Sequence, residues 1–229
     1  MTYVKKGHKK TYIALVLVVV ILVGGLAAAY AVLSAPKPVY VGVNVGDTFT
    51  YHITGTSQLT GAGAVDTPGF SVYNETDYYK ITIAAITGTN VTMDTEWKFK
   101  NGTDITGTQT LDIATGQKSD PNGFWALYPA NLEKTDLLRP RGYDGTRVNN
   151  TDTVNYSSGP RPRCFWFINN EFTNVNDPTG STLMYDYRNI FFDKQTGMLL
   201  SLDDYQFYNT PEMQELISWK LVSTSVWQV

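Results

Sequence analysis

A long apolar run lies near the N-terminus. No charged side chain occurs between Lys10 and Lys37, and residues 13–33 are mostly Val, Leu, Ile and Ala. A helix of about 20 residues rises about 30 Å, which matches the hydrocarbon core of a bilayer. A buried core helix seldom runs this long without a polar face. The pattern therefore predicts a transmembrane signal-anchor helix over residues 11–35.

Charge on the two sides of this helix predicts its orientation. Residues 1–10 form a basic tail with Lys5, Lys6, Lys9 and Lys10, whereas Lys37 is the only base close to the other end. Basic residues stay in the cytoplasm, so the N-terminus is expected inside. Several alanines near the end of the run leave cleavage open. However, the run exceeds the roughly 7–15 apolar residues of a signal peptide, which favours a retained single-pass anchor.

A two-residue period dominates the chain beyond the spacer at residues 36–38. Val91, Met93, Trp97 and Phe99 alternate with polar residues, and Gly88-Thr89 separates this stretch from a similar one at 78–86. Such alternation is typical of antiparallel strands with one buried face. Residues 42–51 are predicted to be a turn that leads into a strand. Further strands are predicted at 108–113, 164–172, 183–193, 198–208 and 216–227, with a mobile loop at 55–68 and a short helix within 124–138.

The order of these elements predicts the fold class. Strands outnumber helices after the membrane segment, and no βαβ alternation occurs. We therefore expect residues 39–229 to form an extracytoplasmic, mainly β domain, built as a curved antiparallel sheet, a sandwich or a partial barrel.

The charge of the outer domain excludes one class of partner. The first 33 residues contain four lysines and no acidic residue, so the rest of the chain has 14 basic against 21 acidic residues, a net charge of −7. An acidic surface repels nucleic acid and lacks the basic stripe that phosphate binding requires. The expected partners are the lipid bilayer, through the N-terminal helix, and a protein or an apolar ligand at the outer domain.

Cysteine and histidine offer little chemistry. Cys164 is the only cysteine and His52 the only histidine outside the basic tail. No intrachain disulfide and no Cys/His zinc site can form. Cys164 lies in an apolar strand and is expected to be a buried, inert thiol. His52 has no nucleophile-elbow motif nearby and is expected to be an ordinary strand residue.

Carboxylates are more plentiful and include one candidate catalytic pair. Asp94 and Glu96 share one face of a strand, as in a hydrolase, but Lys98 lies on that face too and indicates a solvated cross-strand pattern. Asp203 and Asp204 are adjacent and should face opposite sides. Two Asn/Asp/Gly-rich loops, 119–123 and 174–181, lack the full spacing of a calcium loop. We therefore predict no enzyme, cofactor or metal site, with a carboxylate-based hydrolase as an alternative.

Five Asn-x-Ser/Thr sequons are the most informative short motifs. Most of them fall at predicted loops or strand ends, where a glycan can be solvated. The candidate glycosylation sites are Asn74, Asn90, Asn101, Asn149 and Asn155.

Two segments, Gly46-Asp47-Thr48-Phe49-Thr50-Tyr51 and Asp193-Lys194-Gln195-Thr196-Gly197-Met198-Leu199-Leu200, resemble parts of uncharacterised archaeal membrane-anchored surface proteins. The resemblance implies an N-terminal anchor before an antiparallel β domain. It also implies a shape similar to lipoprotein-carrier folds that shelter an apolar ligand. It brings no catalytic residues.

Location and surface character together predict a non-enzymatic binding or structural protein at the cell surface. One alternative is an apolar-ligand carrier domain. Another is a pilin-like filament subunit, because Lys5-Lys6-Gly7 resembles an archaeal pilin-type leader. In such leaders the apolar run follows the glycine at once, whereas here His8, Lys9 and Lys10 intervene. A mature N-terminus at residue 8 would favour the filament subunit.

The orientation predicts how intact cells respond to an added protease. Residues 39–229 should be digested and the N-terminal peptide protected, because the basic tail lies inside. Immunoblots against both ends, with a cytoplasmic protein as control, would measure this. A protected outer domain would contradict the orientation.

Overall fold

The structure is a computed structural model that describes residues 21–25, 37–121, 123–172 and 183–229. Within these ranges, no helix combines the length and apolarity needed to cross a membrane. The anchor predicted at 11–35 lies outside them, except for residues 21–25, which are helical. Residues 39–229 form one compact unit.

The described residues of this unit contain nine strands and one short helix, Ser71–Asn74, between the first two strands. The strands are β1 (Thr48–Leu59), β2 (Thr76–Thr87), β3 (Asn90–Phe99), β4 (Asp104–Asp112), β5 (Asn150–Tyr156), β6 (Gly159–Glu171), β7 (Leu183–Asp193), β8 (Leu199–Asn209) and β9 (Glu212–Thr224).

All nine strands belong to one antiparallel sheet with the order β4-β3-β2-β1-β9-β8-β7-β6-β5. Two meanders, β1–β4 and β5–β9, join where the first strand pairs with the last over eleven residue pairs from Phe49↔Thr224 to Leu59↔Met213. The mainly β, antiparallel prediction is confirmed. Because β4 and β5 remain at opposite edges, the sheet is open rather than closed into a barrel, and the described residues contain no second sheet to make a sandwich.

One face of the sheet, here called the inner face, carries the apolar residues of the two-residue pattern. Phe49, Tyr51 and Ile53 alternate with polar residues along β1 and are buried, as are Ile81 and Ile83 in β2. The register pairs apolar residues of neighbouring strands with each other, for example Ile83 with Met93. A sheet with one apolar face must cover that face to be stable in water.

Most of the cover comes from an irregular stretch, residues 113–149, here called the covering segment. It contributes buried residues at Ile113, Ala114, Ala126, Leu127, Tyr128, Ala130, Leu132, Leu138 and Val148. The short helix predicted within 124–138 is wrong, because this stretch has no helix among its described residues. Its backbone instead bonds to the turn between β7 and β8. Tyr128 N donates to Gly197 O (2.9 Å) and Asn131 N donates to Lys194 O (2.7 Å).

Two turns have the same sequence, Asp-x-x-Thr-Gly. Residues 112–116 lie at the start of the covering segment, and residues 193–197 lie between β7 and β8 and bond to that segment. In one, the Asp193 carboxylate accepts from Thr196 N (2.7 Å) and Thr196 Oγ1 (2.9 Å). In the other, Asp112 accepts from Thr115 Oγ1 (2.8 Å). Gly197 has φ 78°, and a Cβ there would collide with the Tyr128 carbonyl, so the turn requires glycine.

Several predicted boundaries are corrected. The strand that begins near Phe49 continues to Leu59, through the first five residues of the loop predicted at 55–68. Strand β5 was not predicted, since its residues Asn150–Tyr156 are mostly polar and lie at the sheet edge. The predicted strand 183–193 agrees with β7 at both ends.

The packing of Phe192 between sheet and covering segment generates a stability prediction. Its ring is fully buried and stacks on Tyr128 with centroids 4.4 Å apart. Phe192→Ala should lower the free energy of unfolding by about 3–5 kcal/mol, because it leaves a cavity. Phe167→Ala, at a side chain that is 43% exposed on the opposite face, should cost less than about 1 kcal/mol. Urea denaturation measures both, and equal losses would contradict the assignment of faces.

Candidate functional site

Part of the inner face remains open as a groove of about 430 Å³. One wall is the covering segment, at Gly123 and Phe124, and the other wall is Tyr73, in the short helix. The floor comes from strands on both halves of the sheet. It includes Thr95, Trp97, Gly107, Gln109, Tyr79, Trp219, Leu202, Asp204 and Arg188.

Four aromatic side chains form the apolar part of the groove. Tyr79 lies with its centroid 5.0 Å from Trp219 and 5.8 Å from Phe124, and Trp97 is 6.0 Å from Tyr79. Edge-to-face contacts at such distances stabilise the cluster. Each ring is only half-buried, so the four rings offer apolar faces to a ligand.

The two hydrophobic clusters of the domain meet at these rings. The larger cluster lies under the covering segment, and the smaller one consists of Ile53, Phe70 and Ile217. Tyr79 and Trp219 pack against both clusters. Because their neighbours on each side are buried, the positions of these two rings are fixed by the core.

A charged group lies beside the rings at the β7–β8 pair. Arg188 donates through Nε and Nη2 to the two oxygens of Asp186, both at 2.9 Å. The same Nε lies 3.2 Å from Asp204 Oδ2. Register places Arg188 opposite Asp204, so one guanidinium serves two carboxylates from adjacent strands. Such bidentate pairing holds the guanidinium rigidly.

Asp204 is the most perturbed carboxyl of the site. Its residue is 8% exposed, and its Oδ1 is buried without a hydrogen-bond partner. Burial raises the pKa of Asp204 to about 6, and the nearby Asp186 carboxylate adds to the rise, whereas Arg188 opposes it. A carboxyl with this combination of burial and unmet bonding is a functional-site candidate.

Polar contacts continue toward the loop before the short helix. Glu215 is fully buried and accepts from Thr67 N (2.6 Å) and Thr67 Oγ1 (2.7 Å). Gln206 accepts from the Tyr208 hydroxyl at 2.9 Å. Burial raises the pKa of Tyr208 to about 12, and the charges of Glu215 and Asp204 act in the same direction. The two bonds from Thr67 to Glu215 tie the loop to β9 at the end of the groove.

All five candidate glycosylation residues are exposed: Asn74, Asn90, Asn101, Asn149 and Asn155. Their side chains differ in what they already bind. Asn74 Nδ2 donates to Gly55 O (2.8 Å), and Asn149 Oδ1 accepts from Phe167 N (3.1 Å). They are spread over the turns and strands outside the groove, which none of them lines. Their modification remains a prediction.

Four other residues singled out in the sequence lie outside the groove: Asp94, Glu96, His52 and Cys164. Asp94 accepts from Thr108 Oγ1 (2.8 Å), and Glu96 lies 3.8 Å from Lys80, so the solvated cross-strand pattern is confirmed. His52 is exposed, and Cys164 is buried, as expected. Across the described part of the chain, no three His, Cys, Asp or Glu side chains are grouped to hold a metal ion. The loop at 174–181 lies outside the described residues.

Sequence reasoning missed the groove, although one signal was present. Asp204 has the same strand parity as the apolar Leu202, and Arg188 the same parity as Ile190 and Phe192. A charged residue that continues an apolar face marks a polar site on the buried side of a sheet. No family model matches the chain, and no curated protein and no solved structure matches it significantly.

The raised pKa of Asp204 generates a pH prediction. A carboxyl with a raised folded-state pKa favours folding when protonated, so its contribution is lost as pH rises from about 4 to about 6. Asp204→Asn removes this loss. The stability of the variant relative to wild type should therefore rise by up to about 3 kcal/mol between pH 4 and pH 7.

Urea denaturation at a series of pH values measures this difference. Asp203→Asn is the matched control, because Asp203 faces the other side of β8 and bonds to Ser218 (2.7 Å). A difference between Asp204→Asn and wild type that is constant with pH would contradict the raised pKa.

Proposed function

We propose that this protein is a membrane-anchored surface protein whose extracytoplasmic β domain binds a small ligand in the groove, without catalysing a reaction. The apolar run at 11–35 supports the anchor, and the four lysines before it support an external domain. The five exposed sequons support a glycosylated exterior in a host that modifies such sites.

The observation that carries the binding role is the groove itself. A fold with one apolar face could have covered it completely, yet the cover stops at Phe124 on one side and Tyr73 on the other. Between them lie half-buried rings and a buried carboxylate with an unpartnered oxygen. Apolar walls with a few fixed polar groups are typical of small-molecule sites.

The same lining favours an amphipathic ligand over a purely apolar one. A hydrocarbon chain in the groove would remove water from Arg188, Asp204 and Gln109, and it would leave Asp204 Oδ1 without a donor. A ligand with both an apolar body and a polar group would contact the rings and satisfy the polar atoms. We therefore favour a binding domain over the apolar-ligand carrier.

A second candidate is a structural role in the cell envelope or a filament. It is favoured by a row of aromatic side chains on the outer face of the sheet, where Phe165, Phe167, Tyr187 and Tyr205 follow one another across β6, β7 and β8 with centroids 6.1–6.3 Å apart. Phe167 is 43% exposed, as expected for a surface that contacts another protein.

Fluorine NMR of the full chain labelled with 5-fluorotryptophan tests the binding role. The probe is a mixture of amines, saccharides, amino acids, nucleosides and fatty acids. A ligand in the groove should shift the signals of Trp97 and Trp219, which line it. The signal of Trp227 should not shift, because that ring packs on Phe49 (6.0 Å) in the larger cluster.

Two matched variants locate the binding. Thr95→Phe adds a ring to the groove floor and should abolish the shifts, whereas Thr82→Phe adds the same ring on the outer face of the next strand and should preserve them. If no compound shifts Trp97 or Trp219 in the folded chain, the binding role is wrong. Self-association that Tyr187→Ser abolishes would then support the structural role.

A further inference from the structure

The groove has an excess of negative charge on its floor. Asp186 and Asp204 are two carboxylates that face a single guanidinium, that of Arg188. Arg188 is the only basic side chain among the described residues that line it. Glu215, fully buried, adds another carboxylate on β9 next to this group. The site as a whole therefore favours a cation over an anion.

Arg188 does not satisfy Asp204 completely. It forms its two-bond contact with Asp186 and reaches Asp204 through Nε at 3.2 Å, on the Oδ2 side. Gln206 Nε2 also approaches Oδ2, at 3.4 Å, so both contacts serve one oxygen. The other oxygen, Oδ1, is buried with no donor. A buried acceptor without a donor is costly, and a donor that reached it would recover that cost.

Aromatic rings lie next to this carboxylate on the same face. Leu202, two residues before Asp204 on β8, pairs with Trp219 on β9, so Trp219 and Asp204 are diagonal neighbours. Tyr79 packs on Trp219, and Trp97 packs on Tyr79. The faces of Trp and Tyr rings attract cations, most strongly when water is excluded.

We propose that the groove binds a primary organic ammonium ion, with its N–H groups donating to Asp204 and its apolar body against Trp219, Tyr79 and Trp97. The inference rests on the proposed binding function and names its ligand class. Only a ligand that is both a hydrogen-bond donor and a cation matches the unpartnered oxygen, the charge excess and the ring faces together. A neutral saccharide would match the rings but leave the charge unbalanced.

Binding of such an ion is coupled to protonation of Asp204. The charged and titratable groups around this carboxyl are Asp186 and Arg188 from β7, Tyr208 from β8 and Tyr73 from the short helix. Glu215 from β9 acts on the same two tyrosines. The pKa of Asp204 is raised to about 6, so the carboxyl is ionised at pH 7.5 and takes up a proton as the pH falls below 6. Ammonium affinity should fall over the same range.

Two probes with the same ring separate charge from apolar contact. Benzylammonium and benzyl alcohol are titrated into the full chain labelled with 5-fluorotryptophan at pH 7.5, with Trp97 and Trp219 as reporters. The dissociation constant for benzylammonium should be at least about tenfold lower, as expected for a charge-assisted hydrogen bond in a partly buried site. The comparison uses wild-type protein and does not depend on the folding of a variant.

Asp204→Asn should remove this tenfold preference, and Asp203→Asn, on the outer face, should retain it. For wild type, lowering the pH from 7.5 to 5 should weaken benzylammonium binding about tenfold and leave benzyl alcohol binding unchanged, since the ammonium probe stays charged throughout.

Equal affinity for the two probes, or tighter binding of methyl β-D-glucopyranoside than of benzylammonium, would overturn the ligand class and leave the groove as a binding site. If no probe shifts Trp97 or Trp219, the ammonium proposal is also wrong. The wider compound mixture then decides separately whether the groove binds anything.

Discussion

The fold depends on how an open sheet covers its single apolar face. Nine strands in one layer present Phe49, Tyr51, Ile83 and Phe192 to the same side, and no second sheet lies against them in the described structure. Exposing this much apolar surface would cost roughly 25 cal/mol for each square ångström. The chain covers it with the irregular segment 113–149. The groove lies where the edge of this cover, at Gly123 and Phe124, leaves part of the inner face open.

An irregular cover creates a second constraint, because its buried backbone groups need partners. The turn at Asp193 supplies them. Asp193 is fully buried and accepts two bonds from Arg161, both 2.9 Å, while its oxygens also accept from the turn itself. Held in this way, the turn presents Lys194 O and Gly197 O to the covering segment. These backbone hydrogen bonds of the covering segment therefore depend on the side chain of Asp193.

Alternation along the chain was sufficient to predict the class of fold and most strands. It identified β3 closely because Val91, Met93, Trp97 and Phe99 share one parity, and it placed both ends of β7 correctly. It failed for β5, an edge strand whose polar residues have no such period, and for 124–138, where apolar residues contact a sheet without forming a helix. The spacing of apolar residues indicates which side of a segment is buried. It does not show whether the segment is a helix when the segment packs on a sheet that already supports it.

The site was harder to predict, because it depends on how deeply each side chain is buried and not only on which face of the sheet carries it. Trp97 was correctly placed on the apolar side, yet it is half-buried, since the cover stops before reaching it. Asp203 and Asp204 were correctly placed on opposite sides, but only the register with Arg188 and Trp219 shows that Asp204 belongs to the groove. Such relations link strands that are distant in sequence, and no local pattern contains them.

The central claim is that residues 113–149 form a layer of the fold and that the groove opens where this layer ends. Amide hydrogen exchange of the full chain tests it most directly, at Tyr128, Ala130 and Asn131, whose N–H groups bond to Gly197, Tyr40 and Lys194. The account predicts that these amides exchange as slowly as those in the middle of β1, through global unfolding. Exchange at the rate of an unstructured loop would contradict it.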